Sequence, residues 1–269
     1  MTLPLLLEPS ELLAHLSDPH LLVVDLCHAD KYHAGHIPGA VHLDTAMLIS
    51  GIKPATGSLP TPEQLAAALG AIGLTPDTHV VCYDDEGGPW AGRLIWTLDV
   101  IGHTRYSFLN GGKTAWQADG FPLDTLLPAV KPSVVPVSFN SSFIASADDI
   151  LEQLDNPQLL VWDARSREEY TGEKALSARG GHIPGALHLE WTELLDKSQA
   201  LRIRTDVADL LAARGITADK TIVTHCQTHR RSGLTYLVMR SLGYPAVRAY
   251  PGSWSEWGNR EDLPVATGN

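Results

Sequence analysis

The chain has 269 residues, with 20 Lys+Arg against 31 Asp+Glu for a formal charge of −11, and 44 % of it is hydrophobic. That apolar content is enough to fill real cores and excludes disorder on compositional grounds, while the acidic balance argues against nucleic acid as a partner. At about 100–150 residues per domain, the length suggests two modest domains or one large one.

The N-terminal Met1–Pro9 is Leu-rich but has no basic residue before its apolar run and no small-residue cleavage site; Glu8 and Pro9 end it. It does not read as a signal peptide, and no run reaches the roughly 18 apolar residues of a membrane span, so a cytoplasmic protein is expected. Next comes an apolar run, Leu21–Asp25, read as a buried strand, and then the motif Gly35-His36-Ile37-Pro38-Gly39-Ala40-Val41-His42-Leu43. Pro62–Leu69 reads as a helix, Val80–Tyr83 as a strand, Trp90–Val100 as a helix, and Asn110-Gly111 precedes Trp116. Pro128–Pro136 carries three prolines, which can neither continue a helix nor sit inside a sheet. It reads as an extended connector.

After the connector the chain repeats itself. Leu22-Val23-Val24-Asp25 returns as Leu160-Val161-Trp162-Asp163, and Gly35–Leu43 returns as Gly181-His182-Ile183-Pro184-Gly185-Ala186-Leu187-His188-Leu189. Val80–Asp84 lines up with Ile222–Cys226, and Asn110-Gly111 with Trp116 lines up with Pro251-Gly252 with Trp257. Asp206–Arg214 and Gly233–Leu242 read as helices, and Leu159–Asp163 and Thr221–His225 as strands. Four blocks in one order, offset by about 140 residues, indicate duplication, at a period too long for a solenoid. Strand–helix alternation implies two tandem α/β domains, each a mainly parallel sheet flanked by helices. The expected boundaries are 1–126 and 141–269, with a linker over 127–140. The halves differ in charge: residues 1–130 carry 5 basic and 14 acidic side chains (−9), the remainder 15 and 17 (−2).

Ligands of such sheets bind beyond the strands' carboxyl ends, which directs attention to Thr221–Gly233. Here a strand delivers Cys226 to a short polar loop, Gln227-Thr228-His229-Arg230-Arg231, that runs into a helix opening near Ser232. A loop curling into a helix start aims several backbone N–H groups at one point, backed by the positive helix end. With two arginines and a histidine nearby, the cysteine should ionise below its free value of about 8.5. Arg231 is the first choice for gripping an oxyanion and Arg230 the second, while Arg179 stands near the cleft on another loop. Cys82, inside an apolar strand, and Cys27, without arginine or lysine beside it, read as structural. Three scattered cysteines make neither a disulfide framework nor a metal knuckle, and no zinc site is expected. Histidines 36 and 182, and 42 and 188, occur in both halves and so read as structural, whereas His225 faces Tyr83 in the repeat alignment and has no assigned role. Trp257 repeats as Trp116 and reads as packing; the role of Trp254 is left open.

Paired domains that each carry Gly-His-Ile-Pro-Gly-Ala, a Cys-led loop in the second only, and a closing Gly-x4-Trp resemble the rhodanese (thiosulfate sulfurtransferase) family. The loop Cys226–Ser232 is most similar to the bacterial thiosulfate type. It is unlike the Cys-Gly-Ser/Thr-Gly-Val-Thr loop of mercaptopyruvate sulfurtransferases and departs from the Cys-Arg-Lys-Gly-Val-Thr loop of the animal thiosulfate enzymes. The resemblance implies sulfur transfer from thiosulfate to cyanide or a thiol through a Cys226 persulfide. The implied binding residues are Arg231, Arg230, Arg179, His229, Gln227 and Thr228, with no cofactor beyond the covalent persulfide. It also implies a silent first half, where Asp84 stands in the place of Cys226. The expected partners are a small anionic sulfur donor and cyanide or a thiol acceptor, with no nucleic acid, no membrane and a monomeric chain. The rival readings are a persulfide carrier serving a protein partner, a 3-mercaptopyruvate sulfurtransferase, and a phosphatase or arsenate reductase. The phosphatase signature Cys-x5-Arg fails, because Ser occupies position 232.

Overall fold

The computed structural model describes residues 3–268. Met1 and Thr2, at the head of the Leu-rich run, and Asn269 lie outside the described residues. In chain order the strands are β1 (Leu6–Leu7), β2 (Leu21–Asp25), β3 (Val41–His42), β4 (His79–Tyr83), β5 (Tyr106–Leu109), β6 (Leu159–Asp163), β7 (Leu187–His188), β8 (Leu195–Asp196), β9 (Arg202–Ile203), β10 (Thr221–His225) and β11 (Val247–Ala249). Among the described residues no helix is long and apolar enough to cross a membrane.

The chain forms two compact units. The first holds the described residues up to Leu48, then Pro60–Asn140 and Leu195–Ile203; the second holds Ile49–Leu59, Ser141–Leu194 and the described residues from Arg204 onward. Residues 127–140 carry neither helix nor strand.

In the first unit the strand order is β1-β5-β4-β2-β3 and in the second β11-β10-β6-β7, and every pairing in both sheets is parallel. The central pair has one register in both copies: β2 sets Leu21 against His79 and Asp25 against Tyr83, and β6 sets Leu159 against Thr221 and Asp163 against His225. These strands read as apolar, largely β-branched runs because helices cover both faces of a parallel sheet. Val81, Cys82, Ile222 and Val223 are accordingly buried. The common direction places Asp84 and Cys226 just past the carboxyl ends of β4 and β10, at corresponding points of the two sheets.

The repeated motifs do the same structural work in each copy. His36 stacks on Tyr32 at 4.1 Å and its Nδ1 lies 3.0 Å from the Tyr32 carbonyl. His182 stacks on Tyr170 at 3.7 Å, with its Nδ1 2.8 Å from the Tyr170 carbonyl. His42 and His188 reach the carbonyls of Cys27 and Arg165 at 3.0 and 2.9 Å. Trp116 and Trp257 are fully buried, and each donates its indole N–H to a proline carbonyl, Pro122 and Pro264. The repeated motif closes the same Pro-Gly turn in each copy, Ile37–Ala40 and Ile183–Ala186, and the paired residues do equivalent work, as expected of residues present in both halves.

Two segments do not follow the half of the sequence in which they are written. Leu195–Ile203 forms the antiparallel hairpin β8–β9 in the first unit. Its Arg202 pairs with Glu8 at 2.8 Å and Asp119 at 2.7 Å, and the Ile203 N–H donates to the Asn110 side chain. Ile49–Leu59 lies in the second unit, where the Thr56 hydroxyl donates to Ser255. Each segment directly follows a corresponding 3-10 turn, Thr45–Leu48 and Trp191–Leu194. At Gly57 a Cβ would stand 2.3 Å from the Thr228 carbonyl oxygen and 2.5 Å from that of Pro251, closer than a side chain tolerates. Glycine is required there by close backbone approach rather than by a turn.

Candidate active site

Cys226 leaves β10 and is held from behind. Its N–H donates to the Ser253 hydroxyl at 3.4 Å, its carbonyl accepts from the Trp254 N–H at 3.0 Å, and the Gln227 carbonyl accepts from the Ser255 N–H at 2.9 Å. His229 and Ser253 both have φ of +53°, in the left-handed region that non-glycine residues seldom adopt. That backbone curls the loop into the helix Arg231–Ser241, whose Leu234, Leu237 and Val238 are buried. The thiol itself is only 1 % exposed. Burial pushes its pKa up, but the Arg231 charge, the amide and hydroxyl of Ser232 and the Thr228 amide together bring it below the ordinary thiol value.

The predicted residues fall into three groups. Thr228 lends its amide to the sulfur, and Arg231 hydrogen-bonds it through its guanidinium. His229 is fully buried, with Nδ1 2.7 Å from the Ser232 hydroxyl, so it steadies a group that touches the sulfur. Gln227 donates to the Ser177 hydroxyl at 3.2 Å, and its buried Oε1 has no hydrogen-bond partner among the described residues. It lines a cleft of about 770 Å³ with Thr228, Lys53, Thr56, Ser255 and Asn259. Arg230 sits at the helix boundary, half-buried. Arg179 is placed differently from the sequence expectation: its terminal nitrogens donate to the carbonyls of Leu263, Trp257 and Arg260, so it latches the C-terminal segment instead of pointing at the cysteine.

Sequence reasoning missed the ionic groups around the loop. Arg165 grips Asp163 through Nε and a terminal nitrogen, down to 2.6 Å, with both side chains essentially unexposed, and stacks over Trp254 at 4.3 Å. This accounts for Trp254, which walls the arginine and donates its indole N–H to the Arg179 carbonyl. Burial pushes the Asp163 carboxyl up, yet His225 and Arg165 bring it down to about 2. Burial lowers the His225 pKa against the pull of Asp163, keeping that ring neutral near pH 7, and its Nδ1 lies 3.2 Å from the Cys226 carbonyl. Glu169 meets Arg231 with two parallel bonds, 2.6 and 2.8 Å. The one sequence signal for Glu169 was its capping box with Ser166.

The first unit provides an internal comparison. Asp84 is buried at the position corresponding to Cys226, and its carboxylate accepts from the amides of Glu86, Gly88, Trp90 and Ala91 at 2.8–3.1 Å. Glu86 stands two residues past Asp84, as Thr228 stands two past Cys226, and Trp90 and Ala91 lie in the first turn of the following helix, as Ser232 does. The amide cradle survives in this copy and holds an acidic side chain of its own. Burial, helped by the Asp85 charge, outweighs the amides of Ala91, Gly88 and Trp90 and pushes the Asp84 carboxyl up to about 6.

The other cysteines differ in kind. Burial, reinforced by Asp25 at Cys27 and by Asp84 at Cys82, pushes both thiols far up. A small alkylating reagent at neutral pH should therefore label Cys226 alone in the folded protein, as peptide mapping would reveal. Its labelling rate should persist to lower pH than that of an ordinary thiol and fall only as the lowered thiol pKa is crossed. Earlier labelling of Cys27 or Cys82 would contradict this account.

A parallel α/β sheet with an amide-lined loop at its mouth, present twice and holding a cysteine in the second copy, defines a class. The model of the rhodanese-like domain matches residues 8–119 and 146–260. The chain belongs to the rhodanese family. It is similar to a thiosulfate sulfurtransferase of Azotobacter vinelandii, 54 % identical over 264 residues that cover 98 % of this chain and 97 % of that protein. It is also 34 % identical over 272 residues to a sulfur carrier protein of Thermus thermophilus, covering 94 % of this chain and 93 % of that one. Among solved structures, the anaerobic ergothioneine biosynthesis enzyme from Chlorobium limicola superposes with a TM-score of 0.86 at 27 % identity, covering 98 % of this chain and 70 % of its own.

Proposed function

We propose that the chain is a thiosulfate sulfurtransferase whose second copy carries the chemistry on Cys226. The observation that supports this most is the convergence of the Thr228 and Ser232 amides, the Ser232 hydroxyl and Arg231 on one buried sulfur whose pKa is lowered. The Cys226 thiolate attacks the outer sulfur of thiosulfate, a new S–S bond forms, the donor's S–S bond breaks, and its electron pair leaves with sulfite. The terminal sulfur of the resulting persulfide bears the negative charge, and the same amides stabilise it without reorganisation. Cyanide or a thiolate then attacks that sulfur, and the electrons of the persulfide bond return to Cys226. A thiolate ionised in advance needs no general base, in keeping with a neutral His225 whose Nδ1 meets the Cys226 carbonyl and whose Nε2 lies 3.7 Å from the Asp163 carboxylate. The first unit is silent in this scheme, since the Asp84 carboxylate fills the cradle where a nucleophile would stand.

Intact-mass and peptide measurements test the reading. Incubation with thiosulfate should add the mass of one sulfur atom to the Cys226 peptide, and cyanide should remove it with release of thiocyanate. An adduct on Cys27 or Cys82, or none at all, would sink it.

A further inference from the structure

Arg231 bonds the Cys226 sulfur, yet its fork is closed. Both terminal nitrogens are engaged by the two oxygens of Glu169, at 2.6 and 2.8 Å. The Glu169 side chain is 3 % exposed, whereas that of Arg231 is 21 % exposed and so partly open to an arriving molecule. A sulfur donor with a sulfonate-like end carries its charge to this guanidinium and meets a carboxylate already in place. Like charges in a partly desolvated site repel far more strongly than in water. We propose that Glu169 acts on Arg231 as a built-in counter-anion, restraining the site's affinity for the oxyanion of the donor and of the departing sulfite. The inference rests on the assignment of the chemistry to Cys226.

The arrangement has a kinetic rationale. Thiosulfate and sulfite share an anionic oxygen end, so a free arginine fork would bind donor and product alike. Uniform binding of that kind lowers KM without raising kcat, and here it would also slow product release. A buried carboxylate that gives up part of the fork only while an oxyanion is present removes the surplus.

Glu169→Gln is the discriminating change. Glutamine is nearly isosteric, can keep one bond to Arg231, and serves equally well at the N3 position of the Ser166 cap. In thiosulfate–cyanide kinetics, loss of the negative charge should lower both the KM for thiosulfate and the inhibition constant of sulfite by about tenfold. The Cys226 thiol should titrate at lower pH than in the parent. A residue that merely braces the loop predicts the opposite signs, since a displaced Arg231 would raise KM and the thiol pKa. A rise in KM, or no change, overturns the proposal. Should the glutamine variant fail to fold, Glu169→Asp, which draws the carboxylate back by one methylene, decides with a smaller fall in KM expected; a rise or no change is again decisive against. Sulfur loading of the parent at Cys226, followed by mass, is run alongside. If loading fails there, the assignment of the chemistry is at fault and not the role of Glu169.

Discussion

Replacing Cys226 by serine should abolish thiocyanate formation from thiosulfate, by at least about 10³-fold, with far-UV circular dichroism and the melting curve nearly unchanged. The backbone anchors of the loop, from Ser253, Trp254 and Ser255 to residues 226 and 227, use main-chain atoms of the loop and survive the substitution. A serine hydroxyl in the same cradle is a far weaker nucleophile than a thiolate. Cys27→Ser and Cys82→Ser should retain turnover, since both thiols are buried in the first unit with their pKa pushed far up. Substantial residual activity in Cys226→Ser would move the nucleophile elsewhere.

Gly57→Ala should be nearly as damaging, although residue 57 is written far from the cysteine. The added methyl would sit 2.3 Å from the Thr228 carbonyl and 2.5 Å from that of Pro251, and both obstacles are backbone, which cannot swing aside. Relief requires the 226–231 loop or the 49–59 segment to move. Overpacking of this kind costs about 1–3 kcal/mol, and displacing a reacting group by roughly an ångström can cost about 10²-fold in rate. The expected result is a fall in kcat/KM of about 10²-fold with a modest drop in Tm. Gly39→Ala is the control: nothing lies within 4 Å of its Cβ, so any loss there reflects its φ of +78° alone. Equal kinetics for Gly57→Ala and the parent would mean that the segment does not constrain the loop.

Much of the architecture was legible because it is written in local patterns. The strands Leu21–Asp25, Leu159–Asp163 and Thr221–His225 have the bounds that their apolar runs predict, and β4 differs only in beginning at His79. The helix after Cys226 opens at Arg231 rather than near Ser232, because the curled loop reaches helical geometry a residue early. What was not legible depends on partners distant in the chain. Glu169 and Arg231 are 62 positions apart, and a Ser-x-x-Glu pattern advertises a helix cap, not a guanidinium partner. The guanidinium of Arg179 is spent on carbonyls 78–84 residues away, which no local motif announces. Histidines fared better because the duplication is itself a control: a side chain with the same work in both copies cannot owe its place to chemistry present in only one.

The two exchanged segments tie the copy that carries Asp84 to the copy that carries Cys226. A stretch encoded in the first half, 49–59, belongs to the unit that holds Cys226, and a stretch encoded in the second half, 195–203, belongs to the unit that does not. Cutting the gene between its repeats would therefore yield neither unit intact: the working half would lose the strip containing Gly57, and the other would lose the hairpin whose Arg202 pairs with Glu8 and Asp119. Inheritance of the two halves is thereby linked. Deleting the half that carries Asp84 would strip residues 49–59 from the unit that carries Cys226, whatever chemistry that half has of its own.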